Sequence, residues 1–213
     1  MNLAGLNTQG LKITQLLPAA DLFANSPRMD PTEEGRALVS RSRNGDHEAY
    51  AALIRTHHRM IHSLTYRMTG STADADDLSQ ETFVRAYERL ATYKDTAKFS
   101  SWLYRIALNA CLDWKRSETR RNRLKVYWSE AADTEAPESN AKPSKDEVSD
   151  PVQLALLRLP TKQRIAIALT LFDGLTHADA ADALGCSEAT VSWRVVAARR
   201  KLKRWLGNSK GTR

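Results

Sequence analysis

The chain has 213 residues, of which 32 are basic and 25 acidic, giving a formal net charge of +7 and a pI near 9.5. At about 100 to 200 residues per domain, this length predicts one large domain or two small ones. A content of 42% hydrophobic and 27% charged residues, without a run of about 18 apolar residues, excludes a membrane protein. The two cysteines, Cys111 and Cys186, have neither disulfide-framework nor zinc-site spacing, which is typical of a reducing, intracellular compartment.

Residues 1–29 are expected to be a poorly ordered N-terminal extension without chemistry of its own. Structured sequence is predicted to begin at Asp30, which caps a helix with Pro31 at its first position and an end near Arg43. Asp46 then caps a second helix, whose apolar residues recur at helical spacing until Gly70.

A capping-box variant, Ser71-x-x-Asp74, opens the third predicted helix. Leu78, Val84, Tyr87 and Ala91 are expected to form its apolar side. A fourth helix is predicted from Phe99 to Arg116, and Tyr87, Trp102 and Ile106 are interpreted as core residues.

Acidic residues dominate positions 129–150, where seven carboxylates face two lysines and Val148 is the single larger apolar residue. Such a stretch cannot bury enough surface to offset its ordering entropy, so it is interpreted as a linker. No useful length of sequence alternates between apolar and polar residues, so the predicted fold class is all-α. The expected division is an extension at 1–29, a helical domain at 30–118, a flexible acidic linker at 119–150, a second helical domain at 151–207 and a basic tail at 208–213.

A helix-turn-helix is predicted near the C-terminus. Thr176-x-x-Asp179 is a capping box, Gly185 lies in a tight turn, and Ser187 caps the helix that follows. From Ala189 onward there are eight basic residues and no acid, so this end of the chain can neutralise DNA phosphates. DNA binding is favoured over a solvated helix because the caps, the turn and the basic residues agree.

Aromatic and basic residues alternate between positions 93 and 116, an arrangement typical of single-strand binding. The segment from Tyr93 to Phe99 is the better candidate for contact with unpaired bases. An acidic face on the third helix, formed by Asp74, Asp77, Gln80 and Glu81, has no partner carboxylate cluster, phosphate loop or nucleophile, so solvated surface remains open as an alternative.

His58 and His62, with His57 adjacent, have a spacing compatible with zinc, but no third ligand is evident and surface or partly buried imidazoles are favoured. Neither a metal nor a cofactor nor a catalytic residue is predicted.

Four motifs in order resemble the extracytoplasmic-function (ECF, group 4) sigma factors of the sigma-70 family of bacterial RNA polymerase. They are Gly45-Asp46-His-Glu-Ala-Tyr50; Asp74-Ala-Asp-Asp-Leu-Ser-Gln-Glu-Thr-Phe83 followed by Arg85-Ala86-Tyr87; Phe99-Ser-Ser-Trp-Leu-Tyr-Arg-Ile-Ala107 with Asn109; and, spread over the C-terminal domain, Leu159-Pro160, Arg164, Gly174-Leu175, Ala181, Leu184-Gly185, Thr190-Val191, Arg194, Ala198-Arg199 and Leu202. The resemblance covers almost all of residues 36–207.

The resemblance implies a non-enzymatic factor with a region 2 helical bundle and a region 4 helix-turn-helix. It would bind core polymerase and promoter DNA, have an anti-sigma factor as a further partner, show no membrane insertion, and act in the cytoplasm, associated with the nucleoid when in holoenzyme. The implied core-polymerase-binding residues are Asp74, Asp77, Gln80, Glu81, Phe83 and Tyr87. Those implied for minus-10 DNA are Tyr93, Lys94, Lys98, Phe99, Trp102, Arg105, Asn109, Asp113 and Arg116. Those implied for minus-35 DNA are Ser187, Glu188, Thr190, Ser192, Trp193, Arg194, Arg199, Arg200 and Lys203.

Two other classes of function remain open from the residues. A stand-alone helix-turn-helix regulator would bind duplex DNA tightly without polymerase, whereas a sigma factor would bind specifically only with core present. An enzyme using the three histidines would carry stoichiometric metal.

Overall fold

A computed structural model describes residues 33–95, 98–131 and 150–207, and these residues form helices and connecting turns without a strand. The predicted all-α class is confirmed. The helices are α1 (Glu33–Arg43), α2 (His47–Thr69), α3 (Thr72–Glu88), α4 (Phe99–Ala131), α5 (Pro151–Leu157), α6 (Thr161–Ile167), α7 (His177–Leu184) and α8 (Glu188–Gly207). A 3₁₀ turn (Leu90–Thr92) follows α3, and a π-helical turn (Ala168–Phe172) extends α6. The predicted extension, the cap at Asp30 and the basic tail lie outside the described residues.

The helix ends follow the capping residues of the sequence. The Asp46 carboxylate accepts a hydrogen bond from the amide of Ala49 at 3.0 Å, and the Ser71 hydroxyl accepts one from the amide of Asp74 at 3.2 Å. Gly70 has a φ of 76°, a left-handed conformation that ends α2 without the steric cost that a Cβ would bring. The predicted boundary between α2 and α3 is therefore confirmed.

The fourth helix is longer than predicted. α4 continues to Ala131, so residues 119–131 are helical although they were assigned to the flexible linker. The sequence there, which includes Arg120, Arg121 and Arg123, contains no proline or glycine that would end a helix. The remaining linker residues, 132–149, lie outside the described ranges, and the division into domains stays a prediction.

The buried face of α3 also differs from the prediction. Leu78 is buried as expected, but Val84 and Tyr87 are exposed at 52% and 39%, and Ala91, beyond the end of the helix, is exposed as well. The residues that face the interior are mostly small or hydroxylated: Ala75, Leu78, Ser79, Thr82, Phe83 and Ala86. Small side chains let α3 pack closely against α2 and α4, and the Thr82 hydroxyl donates to the carbonyl of Leu78, four residues earlier in its own helix.

The described residues before and after the linker pack against each other. We call residues 33–95 with 98–131 the N-terminal segment and residues 150–207 the C-terminal segment. A single apolar cluster contains Ile61, Leu64 and Leu103 from the first and Leu169 and Val191 from the second. The two segments therefore share a core in this structure.

Buried polar groups join the same two segments. Arg164 donates to the carbonyl of Met68 at 2.7 Å, and Gln153 donates to the carbonyl of Tyr66 at 2.9 Å. Arg67 pairs with Asp173 at 2.9 Å with both side chains under 10% exposed. Because burial outweighs the attraction of Arg67, the pKa of Asp173 is raised to about 6. The end of α2 is thus held by side chains of the C-terminal segment.

Candidate functional site

A groove lies between α2 and α3 on the outer side of the N-terminal segment. Its lining includes Gln80, Phe83 and Tyr87, three of the residues implied for polymerase binding, and its remaining residues are His47, Tyr50, Ile54, His58, Asp76, Val84 and Glu88. The Tyr87 ring lies edge-on to Tyr50 at 4.9 Å between centroids. Phe83 is buried and stacks on His58 at 6.3 Å, so it forms the floor of the groove rather than an exposed contact. Sequence reasoning missed Val84 as part of this surface.

The acidic face lies beside the groove on the same helix. Asp77, Gln80 and Glu81 are exposed at spacings of three and four, as the sequence predicts for one side of a helix. Glu81 accepts a hydrogen bond from Arg85 at 2.6 Å, and Arg85 also lies 3.5 Å from Asp113 on α4. Asp74 is only half-exposed and occupies the first turn, where its negative charge complements the helix dipole. We call Asp77, Gln80, Glu81, Val84 and Tyr87 the α3 surface.

Of the three histidines His57, His58 and His62, two lie together on the outer side of α2 and one is buried. His58 and His62 stack at 5.9 Å, and His62 pairs with Asp76 at 3.0 Å. His57 is instead buried against Phe99, and burial lowers the pKa of this imidazole to about 4. Within the described ranges, no group of three or more His, Cys, Asp or Glu side chains is placed to hold a metal ion.

An aromatic cluster lies at the start of α4. Tyr93, Phe99 and Trp102 are mutually 5.3 to 5.5 Å apart between ring centroids. Phe99 and Trp102 are half-buried, whereas Tyr93 is buried at 5% exposure. Arg43 of α1 donates to the carbonyls of Tyr93 and Leu90, which fixes the loop from the other side. Tyr93, expected to touch unpaired bases, is therefore not accessible in this structure and supports the other two rings.

An exposed polar stripe continues from this cluster along α4. Arg105, Asn109, Asp113 and Arg116 are all exposed and recur at spacings of four, four and three. Asp113 lies 3.2 Å from Arg116, so it neutralises part of the stripe. The structure thus brings together four of the residues implied for minus-10 DNA, and Lys94 is exposed in the preceding loop.

Two of the basic residues in this region contact the C-terminal segment. Lys98 lies 3.2 Å from Asp179, and Arg105 donates to the carbonyl of Asp182 at 2.7 Å. Both acceptors belong to α7. The N-terminal face with the aromatic cluster is therefore adjacent to the first helix of the helix-turn-helix.

The helix-turn-helix itself forms as predicted. The Thr176 hydroxyl accepts from the amide of Asp179 at 3.0 Å, and Ser187 accepts from the amide of Thr190 at 3.3 Å. Gly185 has a φ of 60° in the turn between the two helices. Ala181 and Val191 are buried at the crossing of α7 and α8.

The outer side of α8 carries the residues implied for minus-35 DNA. Ser187, Glu188, Trp193, Arg199, Arg200 and Lys203 are exposed, whereas Thr190, Ser192 and Arg194 are half-exposed. Arg194 donates to the Cys186 sulfur at 3.6 Å, which holds part of its guanidinium against the turn. No helix within the described residues combines the length and the apolarity that a membrane crossing requires.

Comparison with known proteins identifies both segments. Residues 53–121 match the family model of sigma-70 region 2, and residues 149–202 match that of sigma-70 region 4. The ECF RNA polymerase sigma factor SigM of Mycobacterium tuberculosis is 36% identical over 163 residues, which cover 76% of this chain and 80% of SigM. SigW of Bacillus subtilis, also named an ECF RNA polymerase sigma factor, is 31% identical over 178 residues, covering 79% of this chain and 94% of SigW.

A solved structure shares the arrangement of helices. CnrH, in complex with the cytosolic domain of CnrY, is 26% identical with a TM-score of 0.61, and the match covers 82% of this chain and 98% of CnrH. Sequence, order of the two regions and fold agree, and the chain therefore belongs to the ECF sigma factors of the sigma-70 family.

Proposed function

We propose that this protein binds bacterial core RNA polymerase and directs promoter-specific transcription initiation, while the polymerase supplies the chemistry. The observation that carries the proposal is the presence, in one chain, of an exposed acidic surface on α3 and a capped helix-turn-helix whose second helix is basic on its outer side. A protein of this kind acts by binding and is not an enzyme.

The α3 surface is the proposed docking site for the polymerase. Its exposed acids, Asp77 and Glu81, would pair with a basic coiled coil of the largest polymerase subunit, and opposite charges favour both encounter and orientation. Val84 and Tyr87 supply apolar area beside the acids, of the kind found at the centre of protein interfaces. Asp74 and Phe83 are less exposed: Asp74 stabilises the first turn of α3, and Phe83 forms the floor of the adjacent groove.

The start of α4 is the proposed site for minus-10 DNA. Phe99 and Trp102 present half-exposed rings, next to the cations Lys94, Lys98 and Arg105. Opening the duplex costs a few kcal/mol per unstacked step, and stacking returns about 1 to 3 kcal/mol per base. Asn109 and Arg116 would extend the contact along α4. Tyr93 and Asp113 act through their neighbours, by packing against the rings and by pairing with Arg116.

The outer side of α8 is the proposed site for minus-35 duplex DNA. Its N-terminal residues, from Ser187 to Arg194, would enter the major groove, and Arg199, Arg200 and Lys203 would neutralise phosphates. Release of counterions from these phosphates makes the binding salt-dependent.

Two further expectations concern partners and location. An anti-sigma factor is the proposed regulatory partner, and the solved relative CnrH was captured with the cytosolic domain of CnrY. The protein acts in the cytoplasm with the polymerase, and association with the nucleoid is proposed for the holoenzyme.

The first test is transcription in vitro from fragmented genomic DNA of the organism that encodes the chain, using bacterial core polymerase with and without the protein. We expect new RNA starts that share a two-part upstream sequence. Absence of new starts, with a folded protein that binds palindromic duplex DNA alone, would favour a stand-alone regulator.

The second test isolates the α3 surface. Asp77→Lys with Glu81→Lys should weaken core binding in a fluorescence titration while circular dichroism stays unchanged. Glu33→Lys with Glu34→Lys is the matched control, because it makes the same change in charge at exposed positions of α1. Equal affinity of both double variants would contradict the proposed docking site.

A further inference from the structure

Two large apolar side chains protrude from the outer side of α8. Trp193 and Val196 are 66% and 64% exposed, the highest values among the large hydrophobic residues that the structure describes. Adjacent exposed apolar side chains form a contiguous patch of the kind that marks interaction sites, and tryptophan is enriched at interfaces. The pair therefore needs a physical explanation.

The two side chains lie on one face, opposite the core. The residues of α8 that pack inward are Val191, Val195, Ala198 and Leu202. Trp193 and Val196 are three residues apart and fall between these positions, so they are neighbours on the outward surface. They do not belong to an imperfectly buried edge of the hydrophobic core.

The charges on α8 indicate which partner this face meets. Arg199, Arg200 and Lys203 follow the apolar pair along the exposed side of the helix, and the only acid of α8 is Glu188 at its start. Cations in the C-terminal half would bind phosphates, and this anchoring would point the N-terminal half at the base edges. A nucleic acid, which offers phosphates to these cations, therefore fits this face better than a protein surface that is apolar and poor in acidic residues.

The major groove offers one apolar group to such side chains. Guanine, cytosine and adenine present hydrogen-bond donors and acceptors there, whereas thymine also presents its 5-methyl group. An isopropyl group cannot form hydrogen bonds, and an indole has a single N–H donor. Methyl groups are thus the chemically matched target of Val196 and of the Trp193 ring.

We propose that Trp193 and Val196 read thymine 5-methyl groups in the minus-35 duplex and so determine part of the promoter specificity. This inference rests on the proposed function, because it needs α8 in the major groove. Removal of one buried methyl group corresponds to about a fourfold loss of affinity, from the free energy of burying one methylene-sized group. Two methyl groups would contribute about fifteenfold together, if each is fully buried.

The test uses holoenzyme, assembled from core polymerase and the full chain, and a promoter identified by transcription from genomic fragments. Each thymine of the minus-35 element is replaced singly by deoxyuridine, which removes the methyl group and leaves every hydrogen-bonding group in place. Binding is measured for the wild type, Trp193→Ala, Val196→Ala and the control Leu154→Ala. Leu154 is a matched exposed apolar residue, 43% accessible on α5.

We expect deoxyuridine at one or two adjacent positions to weaken wild-type and Leu154→Ala holoenzyme about fourfold each. The same replacement should have no effect on the variant that lacks the contacting side chain. A minus-35 element without thymine, a wild type insensitive to deoxyuridine, or equal sensitivity in all four proteins would overturn the inference. So would Trp193→Ala weakening binding to thymine and deoxyuridine DNA equally, because the contribution of Trp193 would then not come from a contact with the methyl group.

The inference and the proposed function fail in different ways. Loss of the methyl effect with normal promoter-dependent transcription overturns only the role of Trp193 and Val196. Absence of transcription with core polymerase overturns the proposed function itself.

Discussion

Arg164 is the residue whose replacement should most clearly reveal how the two segments are held together. Its side chain is 5% exposed. One guanidinium nitrogen donates to the carbonyl of Met68 at 2.7 Å, in the last turn of α2. The other donates to the carbonyls of Leu157 and Leu159 at 2.7 and 3.3 Å, around the turn between α5 and α6. One planar group thus connects the N-terminal segment to the C-terminal segment.

The perturbation is Arg164→Met, which keeps much of the apolar stem and removes all three hydrogen bonds. A hydrogen bond to a charged group contributes about 1.5 to 3 kcal/mol, and the two short bonds fall in this class. The third is long and adds little. Burial lowers the pKa of Arg164, so part of this gain is offset by the cost of burying the cation. We expect a net loss of about 3 to 5 kcal/mol in the free energy of unfolding, close to that for breaking a buried charged contact.

Urea denaturation of the full chain at pH 7, followed by tryptophan fluorescence and circular dichroism, measures this loss. Arg158→Met is the matched control, because Arg158 is exposed and contacts only the Trp205 ring, at 5.3 Å, among the interactions described for its side chain. A surface contact of this kind contributes about 0.5 to 1 kcal/mol. Arg164→Lys should recover only part of the loss, since an ammonium cannot reproduce the planar fork that spans two segments.

The reasoning would be refuted by a loss at Arg164→Met no larger than that at Arg158→Met. Full recovery by Arg164→Lys would also contradict it, because charge alone would then suffice. Separation of the fluorescence and circular dichroism transitions in Arg164→Met would support it, since the two segments would then unfold independently.

Three further predictions address other contacts. Burial raises the pKa of Asp173 from 3.8 to about 6, so its contribution to stability is fully present below pH 3.8 and is lost as the pH rises through 6. Relative to Asp173→Asn, the wild type should lose up to roughly 3 kcal/mol in the free energy of unfolding across this window, measured by urea titrations at several pH values. A difference between the two proteins that stays constant with pH would contradict burial of Asp173 as the cause. Gly70→Ala and Gly45→Ala should each lose about 1 to 2 kcal/mol in the free energy of unfolding, because both residues have positive φ, and Gly70→Ala should lose more, because of the two only its added Cβ meets a side chain, that of Leu157. Arg194→Ala should change the rank order of promoters in holoenzyme binding, whereas Lys203→Ala should lower the affinity for all promoters alike and reduce the slope of log affinity against log salt concentration by about 1. An unchanged rank order in both variants would show that α8 is not the recognition helix.

Local chemistry made much of the fold predictable. Caps at Asp46, Ser71, Thr176 and Ser187 depend on one side chain and an amide three residues later, so the sequence contains all the information needed. The same holds for the left-handed glycine that ends α2. The helix-turn-helix was predictable because its caps and its turn are contiguous.

The face of α3 was not predictable from apolar periodicity. Val84 and Tyr87 are two of the three large apolar residues of its second half, with Phe83, and a pattern of hydrophobic residues places all three inside. The interior instead takes Ala75, Ser79 and Ala86, whose small size allows helices to approach closely. Small residues at helical spacing were the available indication, and they would have marked Val84 and Tyr87 as surface.

The contact between the segments was unpredictable for a different reason. Residues 67 and 173 are separated by more than a hundred positions, and nothing local in the sequence pairs them. Tyr93 illustrates the same difficulty, because its burial depends on α1 through Arg43. Long-range packing therefore decided which aromatic residues of the proposed minus-10 site are accessible.

The contacts between the segments differ in strength, and this difference bears on how DNA can reach the proposed minus-10 site. Lys98 and Asp179 form a partly exposed pair, of the kind that contributes about 0 to 1 kcal/mol and that phosphates can replace. Arg164 is buried and makes two short charged hydrogen bonds to carbonyls, one of them across the boundary between the segments, and losing these costs several times more. Phosphates alone therefore do not supply enough free energy to separate the segments. The proposed binding of the α3 surface to polymerase would be an additional source of free energy, and it would account for specific DNA binding that requires the core enzyme.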